Sequence, residues 1–280
     1  MTKQEPPSVE ARVKAHYDEA GWIRGDGTHA EDKSFRVFRP AYADYHAKVE
    51  ARTLQAFGHR RGRILFVGCG DFPPGHQQVA AMFGDLVALD ISTAALTATA
   101  EVVDGPIGLI NGSAVSMPIA DNAVDAVFCA HVLYHIDISQ QEAAVSEMLR
   151  VTRPGGRVII LYANSKSPFA FAARAVRKLR RLGGRVSASV APPEDGTSPL
   201  YFALQPPGWW DRFSGVADVS LTPWDIVGSQ EERNLIFSDR LADRFYRWAG
   251  RVEREKPARA TRLWQFTIVR LEKRVGPADQ

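Results

Sequence analysis

The sequence predicts an α/β protein built on a mostly parallel sheet, and three observations carry that expectation. From residue 63 to 163 short apolar runs alternate with segments of helical period, the pattern of strands joined by crossover helices. The runs are continuously apolar, as strands buried on both faces must be. The first of them empties into Gly68-Cys69-Gly70, a turn of the kind found at the carboxyl edge of such sheets, where ligands bind.

Residues 1–57 form an aromatic-rich preamble, expected as an N-terminal tail and helical flap, with Tyr17, Tyr45 and His46 facing inward. The domain proper is then 58–280. Its candidate strands are RILFVG (63–68), DLVALD (85–90), IGLING (107–112), VDAVFCA (124–130) and GRVIILYA (156–163). Helices fit between them: GHQQVAAMF, STAALTATAEVV with Ser92 or Thr93 as its cap, and SQQEAAVSEMLRVT stopping before Pro154-Gly155-Gly156. A Pro- and Arg-rich stretch, 164–208, reads as an acceptor-side insertion. Two late apolar segments, VADVSLTPW and LWQFTIVRLEK, extend the sheet, and the last strand is expected to be antiparallel.

With 45% apolar residues in 280, the chain can bury a full core. Lys and Arg number 35 against 32 Asp and Glu, too even a balance for a dedicated nucleic-acid binder. Only two cysteines occur, Cys69 and Cys129, both in or beside core strands, which fits a reduced protein without disulfides. MTKQEPPSVEARVK has no apolar run behind its early charge, so a cytoplasmic location is expected. No cluster shows metal-ligand spacing, and none is assigned.

The glycines at 68 and 70 let the backbone turn sharply and approach a ligand. A pyrophosphate fingerprint would place a third glycine at 73, where this chain has proline, and Pro73 and Pro74 remove two amide donors. Asp90, 20 residues beyond Gly70 at the end of the second strand, can accept both hydroxyls of a ribose; the alternative is that it only caps the helix after it.

Taken together, LFVGCG, VALDIS, NGSAVSMPIADNAVDAVFCAHVLYHI and EMLRVTRPGGRVII resemble a class I S-adenosylmethionine-dependent methyltransferase. The resemblance implies a Rossmann-like, seven-stranded sheet with S-adenosylmethionine across its carboxyl edge and S-adenosylhomocysteine as product. By position, Gly68, Cys69 and Gly70 would border the methionine part and Asp90 would hold the ribose. Ile91 would cover the adenine, Ser113 and Ala114 would meet its amino side, and Ala130 and His131 would close the pocket. Two positions depart from the family's pattern: Phe66 and Ser113 stand where it commonly has acids.

Methyl transfer needs an oriented, dry pocket first and a base only when the acceptor keeps its proton. His135, in AHVLYHID, is the first candidate base, against the alternative that it only packs; His46 and Tyr17 follow from the flap. Acceptor choice is expected from the flap and the insertion, where PLYFALQPPGWW could form an aromatic wall. RAVRKLRRLGGR, with Arg174, Arg177, Lys178, Arg180, Arg181 and Arg185, reads as a solvated face of an amphipathic helix; contact of 171–185 with a membrane surface is the less favoured reading. The expected function is methylation of O or N in a small molecule, with no nucleic-acid partner; the oligomeric state is left open. The alternatives are an NAD(P)-dependent oxidoreductase and a nucleotide-binding regulator without turnover.

Overall fold

The computed structural model describes residues 7–21, 24–25, 28–29, 39–58, 62–182 and 200–276. Seven strands make one sheet: β1 (Arg63–Val67), β2 (Asp85–Asp90), β3 (Ile107–Asn111), β4 (Val124–Ala130), β5 (Thr152–Ala163), β6 (Ala217–Pro223) and β7 (Phe266–Lys273). Their spatial order is β3-β2-β1-β4-β5-β7-β6. The pairs from β3 to β5 are parallel, and β7 runs antiparallel to both its neighbours, as expected.

The continuous apolar runs are explained by what covers the sheet. Along β1, Leu65 and Val67 enter one core cluster while Ile64 and Phe66 enter another, all at most 1% exposed, because successive side chains leave a strand on opposite faces. Each such burial stabilises by about 1.5–3 kcal/mol, so a strand with no polar face belongs at the sheet centre. The covering helices are α1 (Val9–His16), α2 (Pro40–Phe57), α3 (Pro74–Ala80), α4 (Thr93–Val102), α5 (Gln141–Val151), α6 (Pro168–Leu182), α7 (Ser229–Leu235), α8 (Asp239–Glu255) and α9 (Pro257–Leu263). Ser92 is the α4 cap, its hydroxyl accepting from the Ala95 amide at 3.2 Å.

Three expectations need correcting here. First, α2 is no flap: Phe57 is fully buried against β1, and Arg157 donates to its carbonyl at 2.7 Å. A boundary at 57 therefore cuts through packed structure. Second, Tyr45 does not face the ligand side; it stacks on Tyr246 at 5.0 Å and donates to Glu253 at 2.5 Å, where Arg52 and the Trp264 indole also converge. Third, β5 begins at Thr152, four residues before the expected start, and a register shift between Val124 and Ala126 leaves residues 153–156, Pro154-Gly155-Gly156 among them, bulged out of the ladder. Between the two late strands the chain folds into α7, α8 and α9 and packs against α2.

The basic helix α6 exposes Phe171 and Leu179, while Arg180 turns inward to Asn234 and over the Phe237 ring. Arg185 lies outside the described residues, as does the side chain of Arg181. Among the described residues no helix is long and apolar enough to cross a membrane.

Candidate functional site

At the carboxyl edge of β1 the chain turns through Gly68 and Gly70 with φ of +69° and +57°, a conformation that costs L residues steric strain. A Cβ at Gly68 would stand 2.2 Å from Val132 Cγ2, so no other residue fits there without displacement. Thr99 of α4 fixes the turn, donating to the Gly70 carbonyl at 2.9 Å and meeting Cys69 Sγ at 3.2 Å. Burial pushes the Cys69 thiol up to about 12, which leaves it unreactive. Helix α3 then begins on Pro74, and the amides of His76 and Gln77 are already spent on the Pro73 carbonyl. Little remains there for a pyrophosphate.

Asp90, at the end of β2, is 8% exposed; its Oδ1 accepts from the Ser92 amide at 2.9 Å and its Oδ2 from the Gly70 amide at 3.2 Å. Because Ser92 itself caps α4, capping does not explain this carboxyl. Both oxygens keep unused lone pairs beside the glycine turn. Burial raises its pKa, and the two amides work against that rise.

The N-terminal segment closes over this edge. Ser113 donates to Glu10 Oε2 at 2.6 Å, and Ser92 donates to Asp18 Oδ1 at 2.7 Å. Ser113 occupies a position where the resembled family has an acid, and here α1 brings a carboxylate to the same spot from 103 residues away.

After β4, Ala130 and His131 lead into a single helical turn, Leu133–His135. The His135 Nδ1 lies 2.7 Å from the Tyr201 carbonyl, and since a carbonyl only accepts, that nitrogen carries the hydrogen and Nε2 the lone pair. Burial lowers the His135 pKa to about 4, so the ring is neutral near pH 7. Tyr17 packs edge-on to it at 6.4 Å. His46 sits on α2, its Nε2 3.5 Å from Glu50 and its Nδ1 buried without a protein partner.

All twelve residues singled out from the sequence, nine for a cofactor and three for chemistry, border one cavity of about 640 Å³. Several of its other residues were missed. Tyr42, Glu50 and Leu54 share a four-residue spacing with the predicted His46 on α2 and all line the cavity, a helical stripe visible in the sequence. Trp224 and Asp225, just past β6, left no comparable signal, and Glu10 and His76 were likewise passed over. The 164–208 stretch contributes no lining residue among those described. Phe202 packs behind Tyr134 and His135, and Trp209 and Trp210 belong to the core under β5, so the expected aromatic wall is backing and the real wall is α2 with Trp224.

Phe66, the other departure from the family's pattern, is fully buried 4.7 Å from Phe72, and a carboxylate there would have an aromatic cluster for solvent. The carboxyl groups lining the cavity are those of Glu10, Glu50, Asp71, Asp90, Asp137 and Asp225, and no lysine or arginine lines it among the described residues.

Comparison with known proteins bears on the same region. Residues 65–160 match a family model described as a methyltransferase domain. The demethylmenaquinone methyltransferase of Beutenbergia cavernae is 36% identical over 109 residues, 39% of this chain and 44% of that protein. A ubiquinone/menaquinone biosynthesis C-methyltransferase of Stutzerimonas stutzeri is 31% identical over 117 residues, 39% of this chain and 45% of its own. The chain thus spans less than half the length of these curated relatives. Among solved structures, the magnesium protoporphyrin IX methyltransferase of Synechocystis PCC 6803 with bound S-adenosylmethionine superposes with a TM-score of 0.56 at 12% identity, covering 97% of this chain and 100% of that one. The N-methyltransferase NodS of Bradyrhizobium japonicum WM9, with S-adenosylhomocysteine, gives 0.54 at 13% identity, covering 94% and 98%. At such identities these two show the fold. Residues 65–160 are therefore similar to a methyltransferase domain, and the seven-stranded sheet that carries them has the fold of those two structures.

Proposed function

We propose that the chain transfers a methyl group from S-adenosylmethionine to an oxygen or nitrogen of a small molecule. The observation that carries this reading is the charge of the cavity, six carboxyl groups without a facing lysine or arginine among the described residues. Such a lining favours a cation and repels a pyrophosphate, which weighs against the oxidoreductase reading. S-adenosylmethionine, when bound, supplies a methyl group on a sulfonium centre. Asp90 would hold the ribose hydroxyls, Gly68 to Gly70 would border the methionine part, and Ile91, Ser113 and Ala114 would meet the adenine. Ala130 and His131 would close the pocket on the acceptor side.

His135 is the base in this reading. Its Nε2 can take a proton from an acceptor hydroxyl, and the Tyr201 carbonyl on the opposite nitrogen steadies the cation that forms. Its low pKa suits a proton released late, as the oxygen–carbon bond forms. Tyr17 packs against that ring, and His46, which lines the same cavity, is the second candidate. A carbon acceptor is the second reading, carried by the C-methyltransferase name of one relative. The two free, buried cysteines support a reducing, cytoplasmic site of action.

The test is thermal. S-adenosylmethionine or S-adenosylhomocysteine should raise Tm, whereas NAD and NADP should not; a shift with NAD alone would overturn the reading. Incubation of metabolite mixtures with methyl-labelled cofactor then identifies the acceptor.

A further inference from the structure

Besides the Asp90 region, the cavity is lined from α2, α3, β4 and its exit, the turn after β6 and the start of β7. The surfaces of this second part are rings: Tyr42, Phe128, Trp224 and Phe266, with the imidazoles of His46, His76 and His131 among them. The His131 ring lies 5.0 Å from Trp224 and 5.3 Å from Phe266, and that of His76 lies 5.1 Å from Phe128. The surrounding structure holds these walls firmly. Tyr42 donates to Asp225 at 2.7 Å, the Trp224 indole donates to Thr53 at 2.9 Å, and Arg52 donates to the Trp224 carbonyl at 2.6 Å.

Two features mark this end as built for a ligand. His131 adopts φ of +62°, a left-handed conformation that a non-glycine residue keeps only where its surroundings impose it, and such residues cluster at sites where a side chain must be aimed. Moreover, the Nδ1 atoms of His131 and His46 are both buried without a protein partner. Buried polar atoms are rarely left unmatched. Both residues line the cavity, so a ligand group bound there can supply the missing partner.

We propose that this end of the cavity is the acceptor chamber for an uncharged, flat aromatic molecule bearing a hydroxyl or carbonyl group, held by His131 and His46. The word acceptor rests on the methyl-transfer reading; the ligand class rests on the chamber alone. A neutral imidazole offers one N–H and one lone pair, so it can pair with either a hydroxyl or a carbonyl. Flat walls reward a flat ring by offset and edge-on contact. An anion would find no lysine or arginine among the described lining residues. A cation gains little, because the carboxyls at this end are already engaged: Asp225 accepts from the Tyr42 hydroxyl at 2.7 Å and the Val227 amide at 3.4 Å, and Glu50 lies 3.5 Å from His46 Nε2. Burial lowers His76 to about 3 and His131 to about 4, lowers His46 as well, and raises Asp225 to about 7. A space that disfavours its own ions also disfavours an ionic guest.

The test is calorimetric titration of the full chain, with saturating S-adenosylhomocysteine and again without it, using three probes on one ring system: 2-naphthol, 2-naphthoate and 2-naphthylmethylammonium. 2-Naphthol should bind about tenfold tighter than either charged probe. His131→Phe, which keeps a ring and removes the nitrogens, should lose about tenfold in 2-naphthol affinity whether or not S-adenosylhomocysteine is present. His46→Phe, on a regular helix, should reproduce a loss of the same kind and guards against misfolding of the first variant. A charged probe binding as well as 2-naphthol, or both variants binding it as the parent does, overturns the proposal. If 2-naphthol binds selectively while S-adenosylhomocysteine does not bind at all, the chamber stands and the cofactor reading falls. The reverse pattern sinks the chamber and leaves the cofactor reading intact.

Discussion

The two ends of the cavity are built on opposite principles. At the Asp90 end the protein presents backbone amides, glycines and hydrogen-bonded carboxyls, all placed by loops leaving adjacent parallel strands. At the Trp224 end it presents rings and neutral imidazoles, brought together from α2, the β4 exit and the turn after β6. On the proposed reading the first end would recognise by directed hydrogen bonds, and the second by shape and by exclusion of charge. The difference shows that a strand-loop edge can specify a polar ligand locally, whereas an apolar chamber requires the whole fold to close around it.

The strongest way to break this contrast is Asp90→Ala. Removing a carboxylate that would accept two ribose hydroxyls, each bond worth about 1.5–3 kcal/mol, should weaken S-adenosylhomocysteine by about a hundredfold or more in calorimetry, while 2-naphthol binding at the other end is retained. Full-strength cofactor binding would show that the ribose lies elsewhere. His135→Ala probes the border between the ends: kcat should fall by about a hundredfold with KM for S-adenosylmethionine within about twofold. Unchanged turnover would reduce His135 to packing.

Acid stability sharpens the comparison further. His76, His131 and His135 have folded pKa values of about 3, 4 and 4, below the unfolded value of about 6.5, so their contribution is complete above pH 6.5 and is lost as pH falls toward 4. Asp225, raised to about 7, acts in the opposite sense, its contribution being lost as pH rises from about 4 to 7. His46 is lowered in the same sense, and Asp90 and Glu232 are raised like Asp225, but the three large histidine shifts dominate. Tm should therefore fall on acidification from pH 6.5 to 4, and Asp225→Asn should steepen that fall; a flat profile would mean the imidazoles are not held neutral. A smaller effect is expected at Tyr45→Phe, which removes one donor from Glu253 but leaves Arg52 and Trp264 bonded to it. Stability should drop by about 1–2 kcal/mol, or about 3–5 °C in Tm, with both ligand ends unaffected. The smallest is Glu10→Gln, which weakens an exposed contact to Ser113 and should cost about threefold to fivefold in cofactor affinity.

How legible each region was follows from the range of its contacts. The Gly68–Gly70 turn and Asp90 announced themselves because their conformation and position follow from neighbours within 20 residues and from the strand pattern. Tyr42 was readable in principle, since its stripe on α2 obeys the helical repeat, but an aromatic on a helix more often packs than binds, and Tyr45 three residues on does only that. Glu10 was not readable at all. Its partner Ser113 is 103 residues away, and only the docking of α1 across the sheet edge brings the two to 2.6 Å.

By itself, then, the sequence determined the parallel sheet, the antiparallel last strand, the glycine turn and the acid beside it, because burial on both faces, left-handed φ and chain direction are local constraints that leave local marks. The tertiary structure decided which side chains face the second ligand. Trp224 and Asp225 meet Tyr42, Thr53 and His131 only after β6 has been placed beyond β7 at the sheet edge and α7, α8 and α9 have packed on α2. Contacts of that range carry no periodicity, since nothing in the chain repeats at the distance that folding closes.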